Sequence, residues 1–294
     1  MRSRMTRSDG AWRSVAPADA GAPVAPATVR DALAAATARL AAAGVDTPRL
    51  DAELLLAFVL GVDRARLVID RDTAVEAGAA ERFEALVARR EAREPVSYIL
   101  GRRAFRRISL CVDARVLIPR PETELLVEVG LSLASGARVV DIGTGSGAVA
   151  LALKDERPDL RVSGADVSAD AVEVARLNAS RLGLDVRFVV ADLMDDVFAD
   201  AVLANLPYVA SGAELAPEIV RYEPAGALFA GDDGLDVIRR AVAAVSGPTV
   251  GLLALEIGAE QADAVSALMW DAGFGSVGVR HDLAGLARVV VGTA

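Results

Sequence analysis

This chain of 294 residues is poor in the side chains that usually build metal and disulfide sites. It has one cysteine, Cys111, and one histidine, His281. A single cysteine excludes an internal disulfide framework, and the two residues together are too few for a Cys/His metal site. No metal is expected. Aromatic residues make up only 4%, so each ring near a motif counts. Lys154 is the only lysine, and arginine carries nearly all the positive charge. Long apolar runs are also missing. The longest purely apolar stretch, Leu54 to Val62, includes Gly61 and is far too short to span a bilayer. Residues 1–27 are rich in Arg, Ala, Ser and Pro and lack periodicity, and no apolar core follows the arginines. They read as a disordered extension rather than a signal peptide. The expected location is the cytoplasm.

What is present belongs to a folded protein. Hydrophobic residues make up 53% and charged residues 25%, ordinary values for a globular chain. The net charge is −9, whereas nucleic-acid binding normally needs a concentrated basic face. Nucleic acid is therefore not expected as the direct substrate. Arginine does cluster at Arg82, Arg89, Arg90, Arg93, Arg102, Arg103, Arg106 and Arg107. Such a run reads either as a solvated helix face and hairpin or as a dock for an acidic partner.

The length suits two domains. Thr28-Val-Arg-Asp31 has the form of a capping start for a helix ending at Gly44. Asp46-Thr47-Pro48 opens a second helix that runs to Gly61. A third follows Asp63, and a fourth spans about Glu76 to Ala92. Residues 28–100 thus form a small helical domain, expected to hold a protein substrate. Period-two alternation from Arg103 to Ile118 predicts a β-hairpin linker over about 101–118. Residues 119–294 then alternate, beginning with a helix over Thr123 to Leu133. Strands are expected at 138–142, 161–166, 186–190, 201–204, 249–257, 276–281 and 286–292. Helices are expected at about 146–155, 168–182, 233–245 and 259–271. This is the rhythm of a doubly wound α/β sheet.

Two motifs carry the chemistry. Arg138-Val-Val-Asp141-Ile-Gly143-Thr144-Gly145-Ser146-Gly147 is an apolar strand followed by a glycine-rich turn. Gly143, Gly145 and Ala148 also fit the dinucleotide spacing G-x-G-x-x-G/A, so the turn alone leaves NAD open. Asp141 favours S-adenosylmethionine. It can face the cationic methionine end of that cofactor, where a pyrophosphate would be repelled. Asp166, followed by Val167, ends the next strand and can accept bonds from ribose hydroxyls, a role both cofactors would use.

The second motif is Asn205-Leu206-Pro207-Tyr208, after the apolar run 200–204. The Asn205 side-chain oxygen and the Leu206 carbonyl can each accept one hydrogen of a planar amino group. Tyr208 offers a ring face for stacking. Such a clamp suits an amide or an exocyclic base nitrogen. Read alone, the segment is equally a strand end closing in a Pro-containing turn.

The ordered signatures resemble the HemK/PrmC family, the protein-(glutamine-N5) methyltransferases that modify peptide chain release factors. Glu94-Pro-Val-Ser-Tyr-Ile-Leu-Gly101 resembles the family's exit from its helical domain. Leu117-Ile-Pro119-Arg120-Pro121-Glu122-Thr123-Glu124 resembles its interdomain signature. Asp141 to Gly147 matches its cofactor loop. Tyr222-Glu223-Pro224 and Gly231-Asp-Asp-Gly-Leu-Asp236 resemble its later segments. The resemblance implies a seven-stranded class I methyltransferase sheet with an antiparallel last strand. It implies a cofactor site at Asp141, Gly143, Thr144, Gly145, Ser146, Gly147, Asp166, Val167, Asp192, Leu193 and Asn205. Arg120, Pro121, Glu122 and Thr123 would join residues 205–208 around the substrate. The implied substrate is a glutamine amide in the Gly-Gly-Gln loop of a release factor, and no general base is evident.

The sequence departs from the family in the clamp, which is normally Asn-Pro-Pro-Tyr. Leu206 keeps the carbonyl and, preceding a proline, keeps the bias to extended backbone. Asn-Leu-Pro-Tyr resembles the motif of rRNA adenine dimethyltransferases. Leu193 stands where some members carry an aromatic. The rival readings are an N6-adenine methyltransferase on RNA or DNA, a cofactor-binding regulator without activity, and an NAD-dependent oxidoreductase.

Overall fold

The computed structural model describes residues 27–193, 199–245 and 250–294. The extension read over 1–27 lies, apart from Ala27, outside the described residues.

The helical part comprises α1 (Val29–Ala42), α2 (Pro48–Leu60), α3 (Arg64–Ile69), α4 (Ala77–Glu91) and α5 (Val96–Leu100). The Thr28 side chain accepts from the Asp31 N–H, and Asp31 reaches back to the Thr28 backbone, which closes a capping box. Gly61, at φ 66°, ends α2 in the left-handed conformation that glycine adopts without a Cβ penalty. Leu40, Leu55, Leu56, Phe83 and Val87 are fully or nearly fully buried in a core of this part's own. Each such side chain contributes roughly 1.5–3 kcal/mol of transfer free energy.

A short antiparallel hairpin of β1 (Arg102–Phe105) and β2 (Ile108–Cys111) follows. A 3₁₀ turn, Pro121–Thr123, then runs into α6 (Glu124–Leu131). The main sheet contains β3 (Arg138–Ile142), β4 (Arg161–Asp166), β5 (Arg187–Val190), β6 (Ala201–Ala204), β7 (Leu252–Glu256), β8 (Ser276–His281) and β9 (Ala287–Thr293). Their order is β5-β4-β3-β6-β7-β9-β8, and β9 runs antiparallel to both its neighbours. This is the seven-stranded, doubly wound arrangement expected, antiparallel last strand included.

Helices α7 (Ala148–Glu156), α8 (Ala169–Leu182), α10 (Asp236–Val245) and α11 (Ala262–Asp271) connect the strands, with a short α9 (Pro217–Tyr222) before α10. The sheet separates two cores. One holds Leu151, Leu153, Val172 and Phe188; the other holds Ile238, Val242, Leu253 and Met269. Every residue of β6 is buried, which is why its sequence is continuously apolar rather than alternating.

β3 pairs with β4 on one side and β6 on the other, all parallel. The chain therefore winds away from β3 in both directions, leaving a crevice at the carboxyl ends of these strands. The helical part is fastened beside that crevice. Buried Arg90 of α4 places Nε 2.7 Å from Asp51 of α2 and a terminal nitrogen 3.2 Å from Glu218 of α9. Arg93 also pairs with Glu218, and the Tyr222 hydroxyl donates to the Ala92 carbonyl at 2.8 Å.

Candidate active site

A cavity of about 500 Å³ opens at the carboxyl ends of β3, β4, β5 and β6. Its floor is the turn after β3. Gly143, Gly145 and Gly147 have φ of 67°, 54° and 82°, a region costly for residues with a Cβ. They serve different ends. A Cβ on Gly145 would meet nothing within 4 Å, so it would stand in the open cavity. A Cβ on Gly147 would come within 2.9 Å of Leu151 and 3.1 Å of Phe188. Gly147 is thus a packing glycine and does not line the cavity, unlike Gly143, Thr144, Gly145 and Ser146.

Asp141 is 2% exposed. Its carboxylate accepts from the Thr144 hydroxyl at 2.6 Å and the Ala150 N–H at 3.2 Å. Burial pushes the Asp141 carboxyl up to about 7. Asp166 accepts the N–H groups of Gly145 and Ser168, each at 2.9 Å, and burial raises its carboxyl as well. Val167 is exposed and stands at the cavity wall. Asp192 lies 2.6 Å from Arg240, and Leu193 holds a left-handed φ of 56°; both line the cavity.

These residues fit S-adenosylmethionine. Buried carboxylates suit a cationic amino-acid end and a ribose, and Val167 and Leu193 on the cavity wall are apolar surfaces that could cover a purine. The buried Ser146 hydroxyl has no partner among the described residues, so it is a donor left over for a ligand. A pyrophosphate would meet two carboxylates here and little compensating positive charge.

A second cavity of about 180 Å³ adjoins the first, lined by Leu117, Arg120, Tyr208, Ile219 and Glu256 among others. Asn205 lines both cavities. Its Nδ2 donates to the Thr123 hydroxyl at 3.0 Å, and Oδ1 has no hydrogen-bond partner among the described residues. Leu206 is buried in the core, and its side chain lies 3.1 Å from where a Gly143 Cβ would be. The cofactor loop and the clamp segment are therefore packed directly on each other. Tyr208 donates its hydroxyl to Glu256 at 3.3 Å, and its carbonyl accepts from Gln261 at 3.0 Å. Burial raises the Tyr208 hydroxyl well above its ordinary value.

Of the 120–123 segment, Arg120 lines the smaller cavity and pairs with Glu223, and Thr123 lines the larger. Pro121 and Glu122 line neither. The clustered arginines are mostly engaged within the chain. Arg89 pairs with Glu94, Arg90 with Asp51, Arg93 with Glu218 and Arg106 with Glu156. Arg103 donates to the Pro119 carbonyl, and Arg102 lies 5.6 Å from the Phe58 ring centroid. Arg107 is largely exposed. Sequence reading missed two buried carboxylates at the site. Glu223 accepts the Ile118 N–H and pairs with Arg120. Glu256 closes β7, and an acid ending an apolar strand was the signal that marked Asp141 and Asp166. Among the described residues no cluster of His, Cys, Asp and Glu could hold a metal, and no helix is long and apolar enough to cross a membrane.

Comparison with known proteins agrees with this geometry. The PrmC N-terminal domain model matches residues 31–101, and the methyltransferase small domain model matches 121–226. A release factor glutamine methyltransferase of Mycolicibacterium smegmatis is 46% identical over 277 residues, covering 90% of this chain and 97% of the relative. The protein of that name from Rhodospirillum rubrum is 42% identical, covering 86% of this chain and 81% of its own. The solved hMettl16 catalytic domain, in complex with the MAT2A 3'UTR hairpin 6, aligns at 16% identity with a TM-score of 0.50. It covers 74% of this chain and 82% of its own, and that likeness shows the fold alone. The chain belongs to the HemK/PrmC family of release factor glutamine methyltransferases, enzymes that depend on S-adenosylmethionine.

Proposed function

We propose that this chain methylates the side-chain amide nitrogen of the glutamine in the Gly-Gly-Gln loop of a peptide chain release factor, in the cytoplasm. One observation carries the reading: Asn205 lies where the two cavities meet, with its Nδ2 bound to Thr123 and its Oδ1 without a partner among the described residues. A glutamine amide in the smaller cavity and a cofactor in the larger would face each other across this residue.

Bound S-adenosylmethionine supplies an electrophilic methyl on a cationic sulfur. The residues of the chain supply orientation. An amide nitrogen is a weak nucleophile because its lone pair is delocalised. Asn205 Oδ1 and the Leu206 carbonyl accept its two N–H bonds and aim the nitrogen. Orientation of this kind supplies roughly 7–11 kcal/mol in good cases. The same acceptors stabilise positive charge that develops on the nitrogen. Asp141, Asp166 and Ser146 bind the cofactor, Val167 and Leu193 cover its base, and Tyr208 covers the substrate amide. The carbonyl at position 206 survives the replacement of proline by leucine, so the chemistry of the clamp is retained.

The test is mass spectrometry of a release factor bearing the Gly-Gly-Gln loop after incubation with the enzyme and cofactor. A single added methyl on that glutamine is expected. Methylated adenine in a parallel RNA sample, with the glutamine untouched, overturns the reading in favour of nucleic acid.

A further inference from the structure

Asn178 is 1% exposed and lies inside α8. Asparagine is a poor helix former, because its side chain competes for backbone hydrogen bonds. Three contacts account for its place here. Oδ1 accepts the Cys111 N–H of β2 at 2.7 Å. Nδ2 donates to the Cys111 carbonyl at 3.0 Å and to the Ser146 carbonyl at 2.9 Å. One acceptor meets one N–H and two donor hydrogens meet two carbonyls, a match that suits a carboxamide and no other side chain of this size.

Ser146 stands in the glycine-rich turn after β3 and lines the larger cavity. An α-helix would return the Ala150 N–H to the Ser146 carbonyl, but that N–H goes to the Asp141 carboxylate at 3.2 Å. Asn178 supplies the donor that the helix withholds. Elsewhere the turn is held by Asp166 at the Gly145 N–H and by the Ala165 carbonyl at the Thr144 N–H. The Ser146 hydroxyl, in contrast, is buried with no partner among the described residues. Asn178 and Cys111 line neither cavity.

We propose that Asn178 is a positioning residue of the cofactor turn: it fixes the Ser146 peptide so that the unpaired Ser146 hydroxyl is set for S-adenosylmethionine, and it joins that turn to β2, so that cofactor binding steadies the hairpin.

The physical reason is preorganisation. A hydroxyl gives its full bond to a ligand only when its backbone is already placed; otherwise ordering the chain costs part of the gain. Ser146 lies between Gly145 and Gly147, both left-handed, and glycines restrain a chain little by themselves. The Nδ2 bond removes that freedom at the carbonyl which the helix leaves open. The same amide grips both backbone groups of Cys111. Cys111 pairs in turn with Arg102 of β1, which follows α5 directly after Gly101. One side chain thus links the cofactor turn to the strand pair that leaves the helical part.

The test is calorimetry with S-adenosylmethionine on wild type, Ser146→Ala, Asn178→Ala and the double variant, together with hydrogen exchange at 108–111 and 115–117 with and without the cofactor. Ser146→Ala and Asn178→Ala are each expected to weaken binding by about 3- to 10-fold. The double variant should bind no more weakly than Asn178→Ala alone, because residues that act through one another are not additive. In wild type the cofactor slows exchange at 108–111, although β2 lines neither cavity. In Asn178→Ala it still slows exchange at 115–117, which line the larger cavity, and no longer at 108–111. Wild-type affinity in Asn178→Ala overturns the inference, as does a double variant whose loss is the product of the single losses; either result leaves Asn178 a packing residue of α8. If Asn178→Ala does not fold, Ser146→Ala and exchange in wild type decide: unchanged affinity, or no protection at 108–111, overturns it. None of these measurements uses a methyl acceptor, so failure of the proposed function and failure of this inference are read separately.

Discussion

Asn205 divides its side chain: Nδ2 donates to Thr123, and in the proposed function Oδ1 receives the substrate amide. Asn205→Ala should therefore leave cofactor affinity largely intact and cut turnover by about 10²–10³-fold or more, as loss of one preorganised group does. Initial rates and calorimetry on the same preparation separate the two effects. The glycines make a sharper pair. Gly145→Ala puts a methyl into open cavity, whereas Gly147→Ala drives one into Leu151 and Phe188. The first should fold with a cost of about 1–2 kcal/mol for its positive φ and lose cofactor affinity. The second should lower the melting temperature well beyond the first. Equal losses of stability in both would contradict this division. At this scale the sequence was informative wherever a polar residue interrupts an apolar strand end. Asp141, Asp166 and Asn205 stood out in that way. Glu256 carries the same mark and lacked only a neighbouring motif. Pro121 and Glu122 share a signature with Thr123, and of the 3₁₀ turn they form only Thr123 lines the larger cavity.

At the scale of elements, α9 is the joint between the helical part and the clamp. Glu218 takes both Arg90 and Arg93, and Ile219 of the same helix lines the smaller cavity. Arg90 and its partner Asp51 are 5% and 4% exposed, so removing one partner strands a buried charge. Glu218→Ala leaves Arg90 its Asp51 partner and Arg93 the Ala43 and Gly44 carbonyls, so it is expected to destabilise by about 1.5–3 kcal/mol and to raise amide hydrogen exchange in 217–222 before the core of the sheet. Uniform exchange across both parts would show that no local joint had been loosened. The strands at 138–142, 161–166, 201–204 and 276–281 fall where the sequence places them, because apolar runs between turn residues leave little choice. Helices α7, α10 and α11 begin two or three residues later than read, at 148, 236 and 262. The residues ahead of α7 include Gly147, whose left-handed conformation belongs to the cofactor turn. α5 and α9 escaped because five or six residues span less than two turns and show no period. The fate of the arginine cluster was equally hidden. Arg90 and Arg93 meet Glu218 across 128 and 125 residues of chain, and no local pattern carries such a pairing.

For the whole molecule, two of the carboxyls buried at the site, Asp141 and Glu256, tie stability to pH. Asp141 and Glu256 ionise at 3.8 and 4.5 in an unfolded chain but hold their protons to about 7 when folded. Between those limits the unfolded chain binds fewer protons, so stability falls as pH rises. The contribution is fully present below the unfolded values and is gone once pH passes the folded ones. At about 1.4 kcal/mol per pH unit of separation, each carboxyl contributes at most roughly 3–5 kcal/mol. Ion-paired acids act in the opposite sense, and their gain is complete near their unfolded values. Arg138, for example, holds Asp200 down to about 2. The interval from pH 5.5 to 7.5 therefore reports on the carboxyls that burial raises, Asp141 and Glu256 with Asp166 beside them. The melting temperature of the free protein is expected to decline across it, and Glu256→Gln should decline less. Cofactor binding should respond in reverse, because Asp141 meets the cationic end of its ligand better as an anion. Affinity measured by calorimetry should rise over the same interval, with proton release at pH 6.5, and Asp141→Asn should flatten that rise. A melting temperature that stays constant or climbs from pH 5.5 to 7.5 would mean that the buried carboxyls ionise as freely in the folded protein as in the unfolded chain.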